Sequence, residues 1–326
     1  MKAVALLSGG LDSALAVRKI LEQGIEVEAL KFTSPFCLCD RSGRCHSREV
    51  AKELNIPVKT IEKGDDYLEI VKNPKFGYGS GMNPCIDCRI YMLKKAKEYA
   101  ETIGAELIVT GEVLGQRPMS QHRAALKKIE SEAGLEGRLL RPLSAKCLPE
   151  TEAERKGWVN REKLLNITGR SRKVQIALAK KFDIRNYACP AGGCLLTDKN
   201  FARKMRDLVS HEKDITTREI HLLKIGRHFR YDENKIIVGR NEGENNALLK
   251  WKKDSDYVFE VTSCGSPVTI LQGSATAQSM RLSAEITAAY SDAADENVRV
   301  KFYCSAVRGD MTVRKPVKSA LTPYRI

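Results

Sequence analysis

The sequence predicts an α/β protein: a parallel sheet with helices on both faces, followed by a smaller α+β domain. Short apolar runs alternate with helix-like segments over the first third of the chain, which is typical of a parallel sheet. A glycine-containing turn at residues 8–13 joins the first apolar run to the first helix. Near Gly226 the pattern changes to several closely spaced strands. At 326 residues the chain is long enough for two domains.

The first domain is predicted from its alternating elements, since the helices have apolar residues near helical spacing. The predicted strands are 3–7, 26–32, 58–61 and 107–109. The predicted helices are 14–21, 46–54, 67–71 and 86–103. Ligands of such sheets bind beyond the carboxyl ends of the strands. The positions expected to meet there are the turn at 8–13, Lys31, Phe32 and Gly111.

The second half of the chain begins with a charged helical segment over 198–224. Strands are predicted over 235–238, 257–261, 268–271 and 298–303, with helices over 242–250 and 275–290. The predicted organisation is a first domain over 1–200, a helical linker over 201–225 and an α+β domain over 226–326.

The charge of the chain favours a polyanionic partner. The formal net charge is +14, and residues 150–230 hold 19 Lys and Arg against 10 Asp and Glu. Such a segment suits RNA, although lysine-rich surfaces are also common in heat-adapted proteins. The sequence has no apolar run of membrane-spanning length and no signal-peptide layout at residue 1. We therefore expect a cytoplasmic protein without a membrane partner.

The turn at residues 8–13 reads SGGLDS. A strand, a glycine turn and a helix start direct backbone N–H groups and the helix dipole to one point, which suits a phosphate. The hexapeptide matches neither the P-loop nor the dinucleotide-binding pattern. It resembles the PP-loop of the ATP pyrophosphatase superfamily, whose members split ATP between the α and β phosphates and adenylate a carbonyl oxygen. A purely structural glycine turn is the alternative.

Ten cysteines in a cytoplasmic chain indicate metal or sulfur chemistry rather than disulfides. Cys85 and Cys88 lie two residues apart at a helix start, so both sulfurs can reach one metal. Cys194 is the predicted third ligand because the preceding glycines give access to it, and Cys189 is the alternative. Three thiolates on a cubane cluster leave one iron open to a hydrosulfide. A persulfide or disulfide pair and a zinc half-site are the other interpretations.

The remaining cysteines carry weaker signals. One irregularly spaced group contains residue types that can bind zinc. The alternative interpretation is that its thiols pack beside the nucleotide site without a metal. Its members are Cys37, Cys39, Cys45 and His46. Packing as small apolar side chains is predicted for the scattered cysteines Cys147, Cys264 and Cys304.

Two further regions carry a resemblance to known families. Residues 110–121 (TGEVLGQRPMSQ) and 140–143 (LRPL) resemble the PP-loop domain of ThiI-type tRNA 4-thiouridine synthetases. NPCIDC at 83–88 is also similar to MnmA-type 2-thiouridylases. This resemblance covers about residues 1–195. Residues 238–245 (VGRNEGEN) and the later strands are similar to the RNA-binding region of NFACT proteins, over about 226–326.

The resemblance implies an ATP-dependent tRNA uridine sulfurtransferase with a PP-loop (HUP-like) fold, which adenylates a uracil carbonyl and replaces its oxygen with sulfur, giving 4-thiouridine. The implied cofactors are ATP, Mg²⁺ and a [4Fe-4S] cluster. The implied partners are tRNA and either sulfide or a cysteine desulfurase as the sulfur source, and homodimers are common among the relatives. ThiI-type enzymes grip tRNA through a THUMP module that is not seen in this sequence. RNA capture is therefore expected from the basic middle segment and the C-terminal domain.

The resemblance also implies roles for individual residues. Pyrophosphate contacts are expected from Ser8, Gly9, Gly10 and Ser13. A catalytic role in positioning Mg²⁺ is expected for Asp12, whose alternative is to stabilise the helix start. Sulfur delivery and cluster binding are expected from Cys85, Cys88 and Cys194. The adenosine pocket is expected to include Lys31, Phe32 and Gly111, where the glycine allows close approach of the base. Phosphate contacts are expected from Gln116, Arg117 and Arg141, with Lys146 as transition-state support.

Other functions stay open at this point. A 2-thiouridylase and an ammonia-using PP-loop ligase use the same adenylation, but the ligase has no need of the cysteines. A desulfurising enzyme would give ATP no role. An RNA-binding adaptor switched by ATP belongs to a different class, because it would leave the nucleosides unchanged.

Overall fold

A computed structural model describes residues 1–38, 45–188 and 193–326. It divides into two compact units, Met1–Asp198 and Lys199–Ile326. Two of the sequence-predicted site positions, Cys39 and Cys189, lie outside the described residues. The eight cysteines within them are free thiols.

The first unit alternates strands and helices. Its strands are β1 Lys2–Leu6, β2 Glu26–Thr33, β3 Val58–Glu62, β4 Leu107–Thr110 and β5 Leu139–Leu140. Its helices are α1 Leu11–Leu21, α2 His46–Glu53, α3 Asp65–Lys72, α4 Cys85–Thr102, α5 Arg123–Ala133, α6 Glu152–Arg155 and α7 Lys173–Lys181. Short 3₁₀ turns occupy Ala145–Cys147, Arg161–Lys163 and Leu195–Thr197.

The five strands pair in parallel in the order β3-β2-β1-β4-β5. Successive residues of β1 point to opposite faces of the sheet. Ala3 and Ala5 pack in the core that contains Leu15 of α1, whereas Val4 and Leu6 pack in the core that contains Leu93 of α4. Helices therefore cover both faces, which explains why β1 is apolar throughout. The strand order reverses direction at β1 and β4, and crevices form beyond the carboxyl ends of the strands at such points.

The second unit is built on an antiparallel sheet. Its helices are α8 Lys199–His211, α9 Thr217–Leu223, α10 Glu242–Trp251 and α11 Ala277–Tyr290, with a 3₁₀ segment at Lys318–Tyr324. Its strands are β6 Arg227–Tyr231, β7 Asn234–Val238, β8 Tyr257–Val261, β9 Thr269–Gln272, β10 Asn297–Tyr303 and β11 Arg308–Arg314. They pair in the order β11-β10-β8-β9-β7-β6.

Helix α11 packs on one face of this sheet, where Ile286 joins the core formed with Phe229 and Phe259. Leu248 of α10 packs with Ile237 and other residues on the opposite face. The charged segment before the sheet forms two helices rather than one. The second helix begins at a capping box in which Thr216 and Glu219 satisfy each other's backbone N–H groups, which fixes a new helix start.

The predicted fold class is confirmed: a parallel α/β sheet is followed by a smaller α+β unit. The sequence analysis missed several short or edge elements, namely β5, β6, β11, α5, α6 and α7. The two residues of β5, for example, carry too little periodicity to be recognised. Within the part of the chain that the structure describes, every helix is too short or too polar to cross a bilayer.

Candidate nucleotide and sulfur site

The glycine turn between β1 and α1 is held in a conformation that requires glycine. Gly9 has φ +76°, and a Cβ atom there would lie 2.6 Å from the backbone nitrogen of Ser47, at the start of α2. Gly10 is the N-cap of α1 and supplies no side-chain cap. The hydroxyl of Ser13 instead donates to the Gly10 carbonyl at 2.8 Å, and its oxygen lies 3.2 Å from that of Ser8. The turn thus presents a helix N-terminus flanked by two hydroxyls, which is suited to an anion.

Gly111 follows β4 and lies against the start of α1. A Cβ atom at Gly111 would be 2.5 Å from both the nitrogen and the Cα of Ser13. The sequence analysis assigned this glycine to the close approach of a nucleotide base. The structure shows a further reason for glycine here: Gly111 approaches the backbone of α1, and this contact fixes the glycine turn against β4. The close approach of a base stays a prediction.

Asp12 is the centre of a polar network at the crevice. Its Oδ2 accepts hydrogen bonds from Gln116 Nε2 at 2.7 Å and from an Arg172 guanidinium nitrogen at 2.9 Å. Gln175 is fully buried and donates to Gln116 Oε1 at 3.3 Å. The second carboxylate oxygen of Asp12 is buried without a hydrogen-bond partner among the described residues. A buried, unpaired carboxylate oxygen is costly, so this oxygen fits a site for a cation or a polar ligand.

Lys31 and Phe32 lie near the carboxyl end of β2, at the same edge of the sheet as the glycine turn. Phe32 packs partly buried against the core beneath α4. Lys31 is buried, and its Nζ donates to Cys45 Sγ at 2.9 Å. Burial raises the pKa of the Cys45 thiol, but hydrogen bonds from Lys31 and Ser47 outweigh it and lower the pKa below its ordinary value. The side chain of Lys31 therefore stabilises the thiolate of Cys45 next to the turn, in addition to the adenosine contact that is expected for it.

Cys85 and Cys88 occupy the first turn of α4, where the helix dipole favours thiolates. Asn83 Nδ2 donates to Cys85 Sγ at 3.0 Å. Lys63 Nζ, at the end of β3, donates to Cys88 Sγ at 3.0 Å. Each thiol thus has its own hydrogen-bond donor, which stabilises the charged form of a sulfur ligand.

Cys194 lies beside this pair although it is more than 100 positions away in sequence. Its backbone forms an antiparallel bridge with Cys37, just after β2. The following residues hold it in place, because the Met82 nitrogen donates to the Leu196 carbonyl at 2.9 Å. The 193–196 segment is therefore held between the end of β2 and the loop that leads into α4.

The three thiols are close enough to influence one another electrostatically. Burial, and then the negative charges of Cys88, Cys85 and Cys37, raise the pKa of Cys194 to about 12. Burial and the adjacent Cys88 also raise the pKa of Tyr67 well above its ordinary value. Thiols that oppose each other's ionisation in this way are stabilised as thiolates by a cation between them.

Across residues 1–38, 45–188 and 193–326, no three His, Cys, Asp or Glu side chains are grouped closely enough to hold a single metal ion. A polynuclear cluster is larger than one ion, and its thiolate ligands lie further apart. A set of three cysteines, two of them in the first turn of one helix, is the kind of donor set that binds an iron–sulfur cluster.

Arg117 links the two halves of the crevice. Arg117 is exposed at the surface. Its pKa is influenced by the charges of Arg89, Cys85, Asp12 and Arg172. Partial burial, and then the nearby Arg89, lower the pKa of Arg117 below its ordinary value. The loop that contains Arg117 also connects the two sites. Gln116 Nε2 donates to Asp12 at 2.7 Å, and Met119 Sδ lies 4.0 Å from Asn83 Nδ2, which donates to Cys85.

Arg141 is not at this surface, and the phosphate contact expected for it is wrong. Its side chain is 2% exposed and forms ion pairs with Glu112 at 3.0 Å and with Glu130. Glu112 also lies 3.5 Å from Arg89 of α4. Arg141 therefore ties β5 to β4 and α5 through buried carboxylates. Lys146 is likewise paired, at 2.9 Å, with Glu162.

Replacing Glu112 with glutamine is expected to destabilise the first unit by about 3 kcal/mol, because it removes the more deeply buried of the two carboxylates that pair with the buried Arg141. Burial raises the pKa of Glu112, but Arg141 and Arg89 outweigh it and hold the pKa below its ordinary value of 4.5. The carboxylate therefore stabilises the fold fully above that pH, and this contribution is lost as the pH falls through the lower folded-state pKa. Urea unfolding at neutral pH measures the effect.

Glu132→Gln is the matched control, since Glu132 lies in α5, as Glu130 does, and pairs with Lys75 in an exposed salt bridge. Exposed pairs contribute little, so this variant should unfold at the wild-type urea concentration. Equal midpoints for the two variants would contradict a structural role for the Glu112 pair.

The sequence analysis missed the neighbours that complete the site. Lys63 and Tyr67 contact Cys88, and Arg172 and Gln175 extend the Asp12 network. Arg172 lies in the basic segment over 150–230, which is expected to contact RNA. A lysine at the very end of a strand that leads to the crevice was the one available signal for Lys63, because ligands bind at that edge.

Comparison with known proteins gives matches to both units. A family model described as thiamine biosynthesis protein (ThiI) matches residues 1–146, and one described as NFACT protein RNA binding domain matches residues 226–322. A probable tRNA sulfurtransferase of Thermoanaerobacter sp. is 34% identical over 122 residues, covering 35% of this chain and 30% of that protein. The tRNA-specific 2-thiouridylase MnmA of Syntrophotalea carbinolica is 30% identical over 116 residues, covering 32% of each.

A solved 4-thiouridine synthetase–RNA complex with bound ATP is 20% identical, with a TM-score of 0.39, and the match covers 68% of this chain and 52% of that one. The chain spans about a third of the length of the curated relatives it matches. The two family matches and these relatives confirm the resemblances found in the sequence: residues 1–146 are similar to the ThiI family, and residues 226–322 are similar to the NFACT RNA-binding domain.

Proposed function

We propose that this protein is an ATP-dependent tRNA sulfurtransferase that converts a uridine to 4-thiouridine in the cytoplasm. The observation that carries the proposal is the loop after β4, in which Gln116 donates to Asp12 at 2.7 Å and Met119 Sδ lies 4.0 Å from Asn83, the hydrogen-bond donor to Cys85. Thiolation needs an activated oxygen and an incoming sulfur at the same carbon, and this crevice brings a phosphate-binding turn and three thiols together. The similarity of residues 1–146 to the ThiI family supports the same reaction.

The reaction follows from the weak electrophilicity of a uracil carbonyl. The carbonyl oxygen attacks the α-phosphate of ATP and forms a bond to its phosphorus. The anhydride bond between the α and β phosphates breaks, and pyrophosphate leaves. Hydrosulfide then attacks the same carbon, the C–O bond breaks and AMP leaves with the oxygen. The sulfur proton is lost to solvent. Oxidation states do not change, and one ATP is used for each sulfur atom.

The glycine turn would hold the departing pyrophosphate through the α1 N-terminus and the hydroxyls of Ser8 and Ser13. Asp12 is the proposed Mg²⁺ ligand, because its second oxygen is buried and unpaired among the described residues. Gln116 and Arg172 fix the orientation of that carboxylate. Arg117 is exposed and close to Asp12, so it is placed to contact the α-phosphate or the RNA backbone.

Cys85, Cys88 and Cys194 are the proposed ligands of a [4Fe-4S] cluster. When bound, the cluster would supply an open iron that takes up sulfide from solution or from a cysteine desulfurase. The chain's own contribution is to hold the thiols. Asn83 and Lys63 donate to two of them, and the bridge to Cys37 fixes the third.

The second unit is proposed to bind tRNA, consistent with its match to an RNA-binding domain over 226–322. Contacts between cationic side chains and phosphates release counterions, so tRNA affinity should fall steeply with salt. Lys204 is not a free phosphate contact, since its ammonium donates to the carbonyls of Leu223 and Gly226. A homodimer, common among the resembling enzymes, is a further proposal.

A 2-thiouridylase is the second candidate, because a relative of that kind matches a stretch of similar length, at 30% identity over 116 residues. The two activities differ only in which carbonyl is adenylated. One experiment separates them from the remaining alternatives. The full chain is reconstituted anaerobically with iron and sulfide, then given unmodified tRNA, ATP, Mg²⁺ and sulfide. The nucleosides are identified by chromatography and mass spectrometry.

The expected result is 4-thiouridine, with one AMP and one pyrophosphate formed for each. 2-Thiouridine would support the second candidate. Incorporation of ammonia by a colourless protein would favour the ligase, and tRNA binding without any changed nucleoside would favour the adaptor. Either of the last two results would overturn the proposal.

A further inference from the structure

Lys63 is a buried cation at the cysteine site. Its side chain is 7% exposed, and its backbone nitrogen is fixed by the Thr33 carbonyl at 2.9 Å. The ammonium nitrogen lies 3.0 Å from Cys88 Sγ and 4.4 Å from the centre of the Tyr67 ring. No carboxylate within the described ranges forms a salt bridge with Lys63.

The surroundings of Lys63 are aromatic and dry. The ring of Tyr67 is 2% exposed and lies 6.4 Å from Phe36 and 5.5 Å from Tyr91, measured between ring centres. A buried ammonium is costly unless it is paired with an anion. A single aromatic face offsets only part of this cost. The position of Lys63 therefore calls for an anion on the cysteine side of the ammonium.

We propose that Lys63 is the cationic side of a hydrosulfide-binding site whose opposite side is formed by Cys85, Cys88 and Cys194. The inference rests on the proposed function, and it adds a sulfur-binding residue that lies outside the three thiols. The three ammonium protons can donate to Cys88 and to a second sulfur anion at once. Charge-assisted hydrogen bonds of this kind are strong in a site of low dielectric.

The site explains why an anionic nucleophile would enter a crevice that already contains thiolates. The thiolate ligands of a bound cluster would repel an incoming hydrosulfide, and the ammonium of Lys63 would lower this repulsion. It also holds the incoming sulfur at the carboxyl edge of the sheet, where the adenylated carbonyl must lie. Lys63 thus acts as a binding residue for the sulfur nucleophile.

The test is a sulfide titration of the full-length, reconstituted and desalted protein, followed by the change in visible absorption. Lys63→Met keeps the length of the side chain and removes its charge. It should weaken sulfide binding on the order of 10- to 100-fold, as expected for loss of a hydrogen bond to a charged group. Lys63→Arg should retain most of the affinity. Lys59→Met is the matched control, because Lys59 is exposed on the same strand.

Iron content, melting temperature and ATP-dependent pyrophosphate release are measured on each variant. Sulfide affinity is normalised to bound iron, and support requires that this affinity falls in Lys63→Met while Lys63→Arg, compared in the same way, retains it. Lys63→Gln, which also lacks the charge, provides the same measurement if the methionine variant does not fold. Unchanged sulfide affinity with normal iron content would overturn the inference and leave the proposed function intact. A wild type that takes up neither iron nor sulfide would overturn both.

Discussion

Replacing Cys194 with serine should abolish thiouridine formation and strip the protein of iron, while ATP-dependent pyrophosphate release persists. A serine oxygen is a poor ligand for iron in a thiolate site. Loss of an outer-shell partner of a metal already costs up to about 100-fold in affinity or activity, so loss of a ligand should cost more. The measurements are iron content, the visible spectrum and the thiouridine content of tRNA after reaction.

Cys147→Ser is the matched control, since this thiol donates to the Asn166 carbonyl in a 3₁₀ turn and is not coupled to Cys194. It should retain iron and activity. A Cys194→Ser protein that keeps its iron and its activity would exclude Cys194 as a ligand, and would direct attention to Cys189 or to a zinc or persulfide role for Cys85 and Cys88.

The features that could be predicted from the sequence are those fixed by local chemistry. The apolar run of β1, the glycine turn and the helix start follow one another along the chain, and each is recognisable without its neighbours. Cys85 and Cys88 are related by one helical turn. Cys194 could be chosen over its neighbours from the access given by adjacent glycines, and the structure places it beside the other two thiols.

The features that could not be predicted depend on contacts between distant segments. Arg172 meets Asp12 across 160 positions, and nothing near either residue indicates the other. Arg141 looked like a surface phosphate ligand because arginines usually are exposed, but two carboxylates allow it to be buried. Lys63 follows a strand, a position at which lysines are usually exposed, and only the hydrogen bond to Cys88 explains its burial.

Replacing Asp12 with asparagine should reduce ATP-dependent pyrophosphate release by on the order of 100-fold or more, as removal of a preorganised electrostatic group at a reacting phosphate does. The amide has nearly the shape of the carboxylate, so the fold should persist. It lacks the negative charge that pairs with Arg172 at 2.9 Å and that would bind Mg²⁺. The measurements are pyrophosphate release at several Mg²⁺ concentrations and the melting temperature.

Two properties of the Asp12→Asn variant distinguish a catalytic carboxylate from one that only stabilises the start of α1. A helix-start carboxylate contributes about 1 kcal/mol or less to stability, and its loss would lower the melting temperature without a specific change in Mg²⁺ dependence. A Mg²⁺ ligand, by contrast, would shift the required Mg²⁺ concentration upward while leaving melting nearly unchanged. Glu22→Gln, at the other end of the same helix and paired with Lys19, should change neither property. An Asp12→Asn enzyme with wild-type pyrophosphate release would remove Asp12 from the reaction, and with it the reason for the buried Asp12–Gln116–Arg172 network at the crevice.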